Sequence, residues 1–181
     1  MPDVDATRVS TYPTFAGMFA KSRYLTLLQP PRVGGPGSGI ADALGVLDEA
    51  LRTSPHVVHE VSAMLADFNW RPNLVAATAV IRARMMTGVV VRAVWTAIDR
   101  PSWVSPQLAV AASIIDPRFA DGARARIAAA SRGGVLRAAV KTLTALAVLS
   151  ETTLPAVTDP DHGAEMALEW RRAMLVQYAP V

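Results

Sequence analysis

An internal repeat constrains this chain more than any other feature. The stretch Trp70-Arg71-Pro72-Asn73-Leu74-Val75-Ala76-Ala77-Thr78-Ala79-Val80-Ile81 returns as Trp103-Val104-Ser105-Pro106-Gln107-Leu108-Ala109-Val110-Ala111-Ala112-Ser113-Ile114-Ile115. From proline onward the two superpose without gaps at an offset of 34 residues, 106 minus 72, a period typical of stacked helical hairpins. The same shift puts Ile40 on Leu74, Ala43 on Ala77, Val46 on Val80 and Leu47 on Ile81. One spacing of buried positions therefore extends a unit upstream. Such units cannot bury their apolar faces alone, so they need neighbours on both sides.

Composition supports helices rather than strands. Of 181 residues, 51% are hydrophobic but only 6% aromatic, and small or branched aliphatic side chains suit helices that pack closely along their length. No alternating strand pattern or hairpin turn signal interrupts them. The absence of cysteine removes disulfides, thiolate zinc sites and cysteine nucleophiles. An acidic start, Met1-Pro2-Asp3-Val4-Asp5, lacks the basic-then-apolar order of a secretory leader. Gly133 to Leu149 carries Arg137 and Lys141 and falls short of the roughly 20 apolar residues that span a bilayer. The expectation is a soluble, cytoplasmic protein without a membrane role.

Residues 1–39 read as an N-terminal unit, a short helix near 14–28 followed by the breaker-rich Pro30-Pro31-Arg32-Val33-Gly34-Gly35-Pro36-Gly37-Ser38-Gly39; residues 40–181 read as the repeat domain. Capping side chains directly before proline, in Ser54-Pro55, Ser105-Pro106 and Asp116-Pro117, mark helix starts, because proline at the first helical position gives up no intrahelical bond. Periodicity then predicts helices at 40–52, 55–66, 72–85, 88–99, 106–115, 117–131, 134–150 and 162–178. These form about four antiparallel hairpins, the last interrupted by a loop over 151–161 and read as a capping unit.

The Pro-x-Leu-x-x-Ala-type first helices at Pro72 and Pro106, with their period, resemble the HEAT-like helical-repeat family over about residues 40 to 150. The resemblance implies a short α-solenoid of two antiparallel helices per unit. The tetratricopeptide pattern shares the period, but its aromatic and glycine positions are not found.

Charge follows the repeat as well. Residues 68–150 carry eleven basic and three acidic groups, against five and seven before them and two and five after. Arg84 and Arg118 are 34 apart, as are Arg92 and Arg126; with Arg82, Arg124, Arg132 and Arg137 they suggest a basic ladder that would attract an acidic partner. Trp70 and Trp103 each sit just before a first helix, where a ring either staples the turn or anchors a partner. Packing is the expectation for both, and also for Trp95 and Trp170. Phe68-Asn69-Trp70-Arg71 and Arg100-Pro101-Ser102-Trp103 are nonetheless the exposed connections most suited to function.

The remaining motifs point to no chemistry. Arg32-Val33-Gly34-Gly35-Pro36-Gly37 matches a pyrophosphate-loop spacing but lacks the preceding strand. His56 and His59 share a helix face beside Glu60, without a third ligand for a metal. His162 stands alone. No catalytic serine, histidine and aspartate arrangement appears, so neither cofactor nor metal nor enzymatic activity is expected.

The expected function is therefore a non-enzymatic protein-binding module, an adaptor or an immunity-type inhibitor of a bacterial toxin. Its partner-binding residues would be Arg84, Arg92, Arg118, Arg126, Trp70, Arg71 and Trp103, facing an acidic protein surface. The alternative is nucleic-acid binding in a basic groove, with a DNA-glycosylase-like variant needing a carboxylate such as Asp99 near Trp95 and Trp103. Apolar residues Met166, Leu168, Trp170, Met174, Leu175 and Tyr178 on the last helix also suit a homo-oligomer.

Overall fold

In the computed structural model, which describes residues 4–28, 39–100, 102–133, 140–154 and 162–177, the chain is all-α, with no strand among the described residues. Chain order is α1 (Val4–Thr11), a 3-10 turn Pro13–Phe15, α2 (Ala16–Phe19), a kinked 3-10 stretch Ala20–Leu27, and then α3 (Ile40–Thr53), α4 (Val57–Ala66) and α5 (Trp70–Arg82). It continues with α6 (Gly88–Ile98), α7 (Ser105–Ile115), α8 (Phe119–Gly133), α9 (Val140–Leu149) and α10 (Gly163–Arg172), which runs on into a π-type turn, Ala173–Gln177. No helix of the described residues is long and apolar enough to cross a membrane. The glycine-rich loop at 30–38 and the Arg137 side chain lie outside the described residues.

The two near-copy segments form the centre. Pro72 through Ile81 of α5 are all buried, as are Ser105 through Ala112 of α7, and a helix apolar on every face must be surrounded. α5 packs against α3, α4 and α7; α7 packs in turn against α6, α9 and α10. Three of the four expected positions are buried in each unit, Leu74, Ala77 and Ile81, then Leu108, Ala111 and Ile115 one repeat later and Ile40, Ala43 and Leu47 one repeat earlier; at the fourth Val80 is buried but Val46 and Ile114 are only partly so. Sequence neighbours pack unevenly: α9 with α10 most extensively, then α4 with α5, α6 with α7 and α8 with α9, while α5 meets α6, and α7 meets α8, much less. Of the four expected hairpins only α9–α10 is closely packed among the described residues.

Proline marks two helix starts late. Ser54 Oγ accepts from the His56 amide at 3.2 Å and Asp116 Oδ1 from the Arg118 amide at 2.8 Å. These side-chain turns hold Pro55 and Pro117 outside the helices, which open two residues further on at Val57 and Phe119. At α5 the shift runs the other way. Asn69 Oδ1 caps the Arg71 amide at 3.0 Å, so the helix begins at Trp70 rather than Pro72.

The N-terminal unit also differs from the single helix expected at 14–28. Lys21 and Ser22 have φ of 58° and 51°, left-handed conformations that break any helix through them. Phe15, Met18, Phe19, Tyr24 and Leu27 are nevertheless buried, against α3 and α5. Polar contacts fix this segment to α4: Thr14 donates from its amide, at 3.0 Å, and from its hydroxyl to the buried Glu60 carboxylate. Tyr12 donates to Asp67 at 2.8 Å; burial first, then that bond, pushes its phenol well above the ordinary range. At the far end Trp170, fully buried, donates its indole N–H to the Leu27 carbonyl at 2.9 Å. The last helix is thereby tied to the N-terminal unit.

Helix α4 ends with every terminal carbonyl occupied. Ala63 receives the Asp67 amide at 3.1 Å, Met64 receives Asn73 Nδ2 at 2.7 Å, and the Arg100 guanidinium covers Leu65 and Ala66. These are the four groups a helix leaves without intrahelical partners. Asn73 Nδ2 also reaches the Asp67 carbonyl at 3.0 Å and is itself buried. Asn73→Leu, which fills the site but donates nothing, is expected to cost about 1–3 kcal/mol as a lowered urea midpoint with unchanged slope.

Candidate aromatic and cationic edge

Short connections between packed helices reverse the chain, so the links α4–α5 and α6–α7 lie at one edge and the turns α5–α6 and α7–α8 at the other. Arg100 confirms the first grouping: from the α6–α7 link it bonds Ala66 at 2.8 Å and Asp67 at 3.2 Å in the α4–α5 link. On this edge stand the two most exposed aromatics described. Phe68 is 92% exposed and Trp103 77%.

Their positions are equivalent. Phe68 lies two residues before the first residue of α5, and Trp103 two before that of α7. In the 34-residue register Trp103 falls on Asn69, one residue from both Phe68 and Trp70; counted from the helix starts, and in its exposure, it matches Phe68. Trp70 is instead half-buried, edge-on to Tyr24 with centroids 5.9 Å apart. Packing therefore holds for Trp70, whereas Trp103, expected to pack as well, is exposed.

Each exposed ring carries a cation over its face. The Arg100 guanidinium is 5.1 Å from the Phe68 centroid, and Lys141 Nζ is 5.7 Å from that of Trp103. Beside them Arg71 lies 4.8 Å from the Trp70 centroid and donates to the Tyr24 hydroxyl at 2.9 Å. None of Arg71, Arg100 and Lys141 forms an ion pair with a carboxylate among the described residues. The sequence marks Arg100 only as part of its link and Lys141 not at all, since nothing in local spacing says that they reach across to the rings.

The arginine pairs separate. Arg84 and Arg118 occupy the corresponding turns α5–α6 and α7–α8, both exposed, Arg84 with φ of 46°. Arg92 and Arg126 stand on the corresponding helices α6 and α8. There the likeness ends: Arg126 makes two bonds to Asp99, at 2.6 and 2.7 Å, and lies 4.1 Å from the Trp95 centroid. The residue one repeat before Asp99 is Leu65, so Arg92 has no such acid and stays exposed. Arg82 pairs with Asp48 and Arg124 with Asp121. The seven residues expected to bind a partner therefore divide: Trp70, Arg71 and Trp103 at the aromatic edge, Arg84 and Arg118 at the opposite turns, and Arg92 and Arg126 on the helices between.

Trp95 and Trp170 are buried as expected. Trp95 donates to Asp116 at 2.7 Å and stacks on Phe119 with centroids 5.7 Å apart; Asp99 is engaged by Arg126. His56 and His59 are exposed, while Glu60 is buried against Thr14. No cluster of three metal-ligating side chains occurs among the described residues. Comparison with family models, with curated proteins and with solved structures gives no match to this chain.

Proposed function

We propose that this chain is a small helical-repeat protein of the HEAT-like, α-solenoid kind that works as a non-enzymatic protein-binding module, an adaptor or an immunity-type inhibitor of a bacterial toxin. The observation that carries the reading is the pair Phe68 and Trp103, two large rings held in water at equivalent positions on neighbouring links. Leaving such rings exposed gains nothing for folding, and aromatic side chains of this kind are the usual anchors of interfaces. Helical repeats commonly bind through the surfaces their regular spacing creates.

The double variant Phe68→Ala/Trp103→Ala tests this. Its stability should stay within about 0.5 kcal/mol of the parent, as for other surface substitutions. Affinity capture from an extract of its own source should recover a partner with the parent chain and lose it with the variant. Equal recovery by both proteins would place binding elsewhere and sink the reading.

A further inference from the structure

We infer that the Phe68–Trp103 edge recognises an acidic, apolar-anchored peptide segment of its partner, with two anchors about 10 Å apart. This rests on the protein-binding reading above and deepens it.

Charge decides the first part. A ring with a cation over it that pairs with no carboxylate among the described residues offers a partner side chain two things side by side, an apolar surface and a positive group. Phe68 with Arg100 and Trp103 with Lys141 each make that combination, and Arg71 adds a third cation nearby. Lys141 is the more open of the first two, since Arg100 also holds the carbonyls that end α4. The partner feature complementary to both is a carboxylate adjacent to an aromatic or aliphatic side chain. A nucleic-acid strand fits less well. It needs a continuous track of free cations along its phosphates, whereas Arg82, Arg124 and Arg126 in the basic middle are already paired with Asp48, Asp121 and Asp99. The unpaired Arg84 and Arg118 lie at the turns of the opposite edge.

Spacing decides the second. Phe68 and Trp103 stand at the same position before α5 and α7, which pack directly against each other. Packed helices have axes roughly 8–10 Å apart, and we take about that interval for the two links that lead into α5 and α7. On an α-helical segment, side chains seven residues apart share a face and are separated by about 10.5 Å. On a polyproline-type segment the same holds for residues three apart, at about 9.3 Å. Either form presents two apolar anchors at the pitch of the edge, with carboxylates beside them.

Selection of a random peptide library displayed on phage against the full chain tests the assignment. The enriched peptides should carry Asp or Glu beside Leu, Phe, Tyr or Trp, with anchors three or seven residues apart. Synthetic versions should bind about thirtyfold or more weakly to Phe68→Ala/Trp103→Ala, and about tenfold more weakly to Lys141→Glu. Raising salt should weaken them as well. Circular dichroism of both variants, unchanged from the parent, keeps the comparison free of unfolding. Edge-dependent peptides without carboxylates would overturn the acidic assignment and leave protein binding standing. Peptides indifferent to both rings, or no enrichment at all, would overturn it too. So would a thymidine oligonucleotide that binds the parent and is lost with the same two rings, in favour of nucleic acid.

Discussion

Trp170→Ala should lower the unfolding free energy by about 3–5 kcal/mol, the range for removing a large buried aromatic. Trp170 is fully buried and its N–H holds the Leu27 carbonyl at 2.9 Å. Domains of this kind are stable by only about 5–15 kcal/mol, so the loss is about a fifth of the whole or more. Urea titration checks it. Trp170→Phe separates the two contributions, because it keeps most of the packing and removes the donor, leaving a buried carbonyl unpaired at about 1–3 kcal/mol. A phenylalanine variant as stable as the parent would show that packing alone joins α10 to the N-terminal unit.

Gly163→Ala should be nearly as damaging, although it adds one carbon. A Cβ at Gly163 would lie 2.2 Å from the Lys141 carbonyl oxygen and 2.8 Å from both the Lys141 carbonyl carbon and Thr144 Oγ1. The nearest obstacle is backbone of α9, which cannot swing aside as a side chain does, so α10 must shift or the contact must break. Overpacking commonly costs about 1–3 kcal/mol and occasionally more, and the upper end is expected here. Gly45→Ala is the control. Gly45 lies within α3, nothing stands within 4 Å of its added carbon, and the change should stabilise by about 0.5–1 kcal/mol. Thermal unfolding of the two variants should move in opposite directions.

The buried helices were legible because their information is periodic. Leu74, Ala77 and Ile81 repeat as Leu108, Ala111 and Ile115, and a fixed spacing of apolar residues states which faces must meet. Chain ends were harder. The burial of Phe15, Phe19 and Tyr24 depends on α3 and α5 being present, and a segment bent at Lys21 and Ser22 carries no helical period. Prolines indicated where helices begin only to within two residues, since Ser54 and Asp116 spend their side chains on a preceding turn. Ion pairing was partly within reach: Asp48 precedes Arg82 by the repeat offset itself, 82 minus 48. The Arg126–Asp99 pair crosses from α8 to the end of α6 and obeys no such rule.

The exposed edge was legible by location but not by role. Both links are marked as surface connections, yet the repeat register puts Trp103 on Asn69, between the two rings it could match. Exposure and the count from the helix starts match Phe68 to Trp103, and a start set by Asn69 is a side-chain hydrogen bond rather than a pattern of hydrophobicity.

The burial of α7 over Ser105–Ala112 also bears on how the chain is made. Its neighbours include α5 and α6, synthesised before it, but also α9 and α10, synthesised after it. As the chain emerges, α7 keeps an apolar flank uncovered until Gly163–Gln177 has been added. During that interval the nascent protein presents what a chaperone binds and what an aggregate grows from. Burial in the finished molecule thus becomes a period of vulnerability during translation, closed only when α10 arrives.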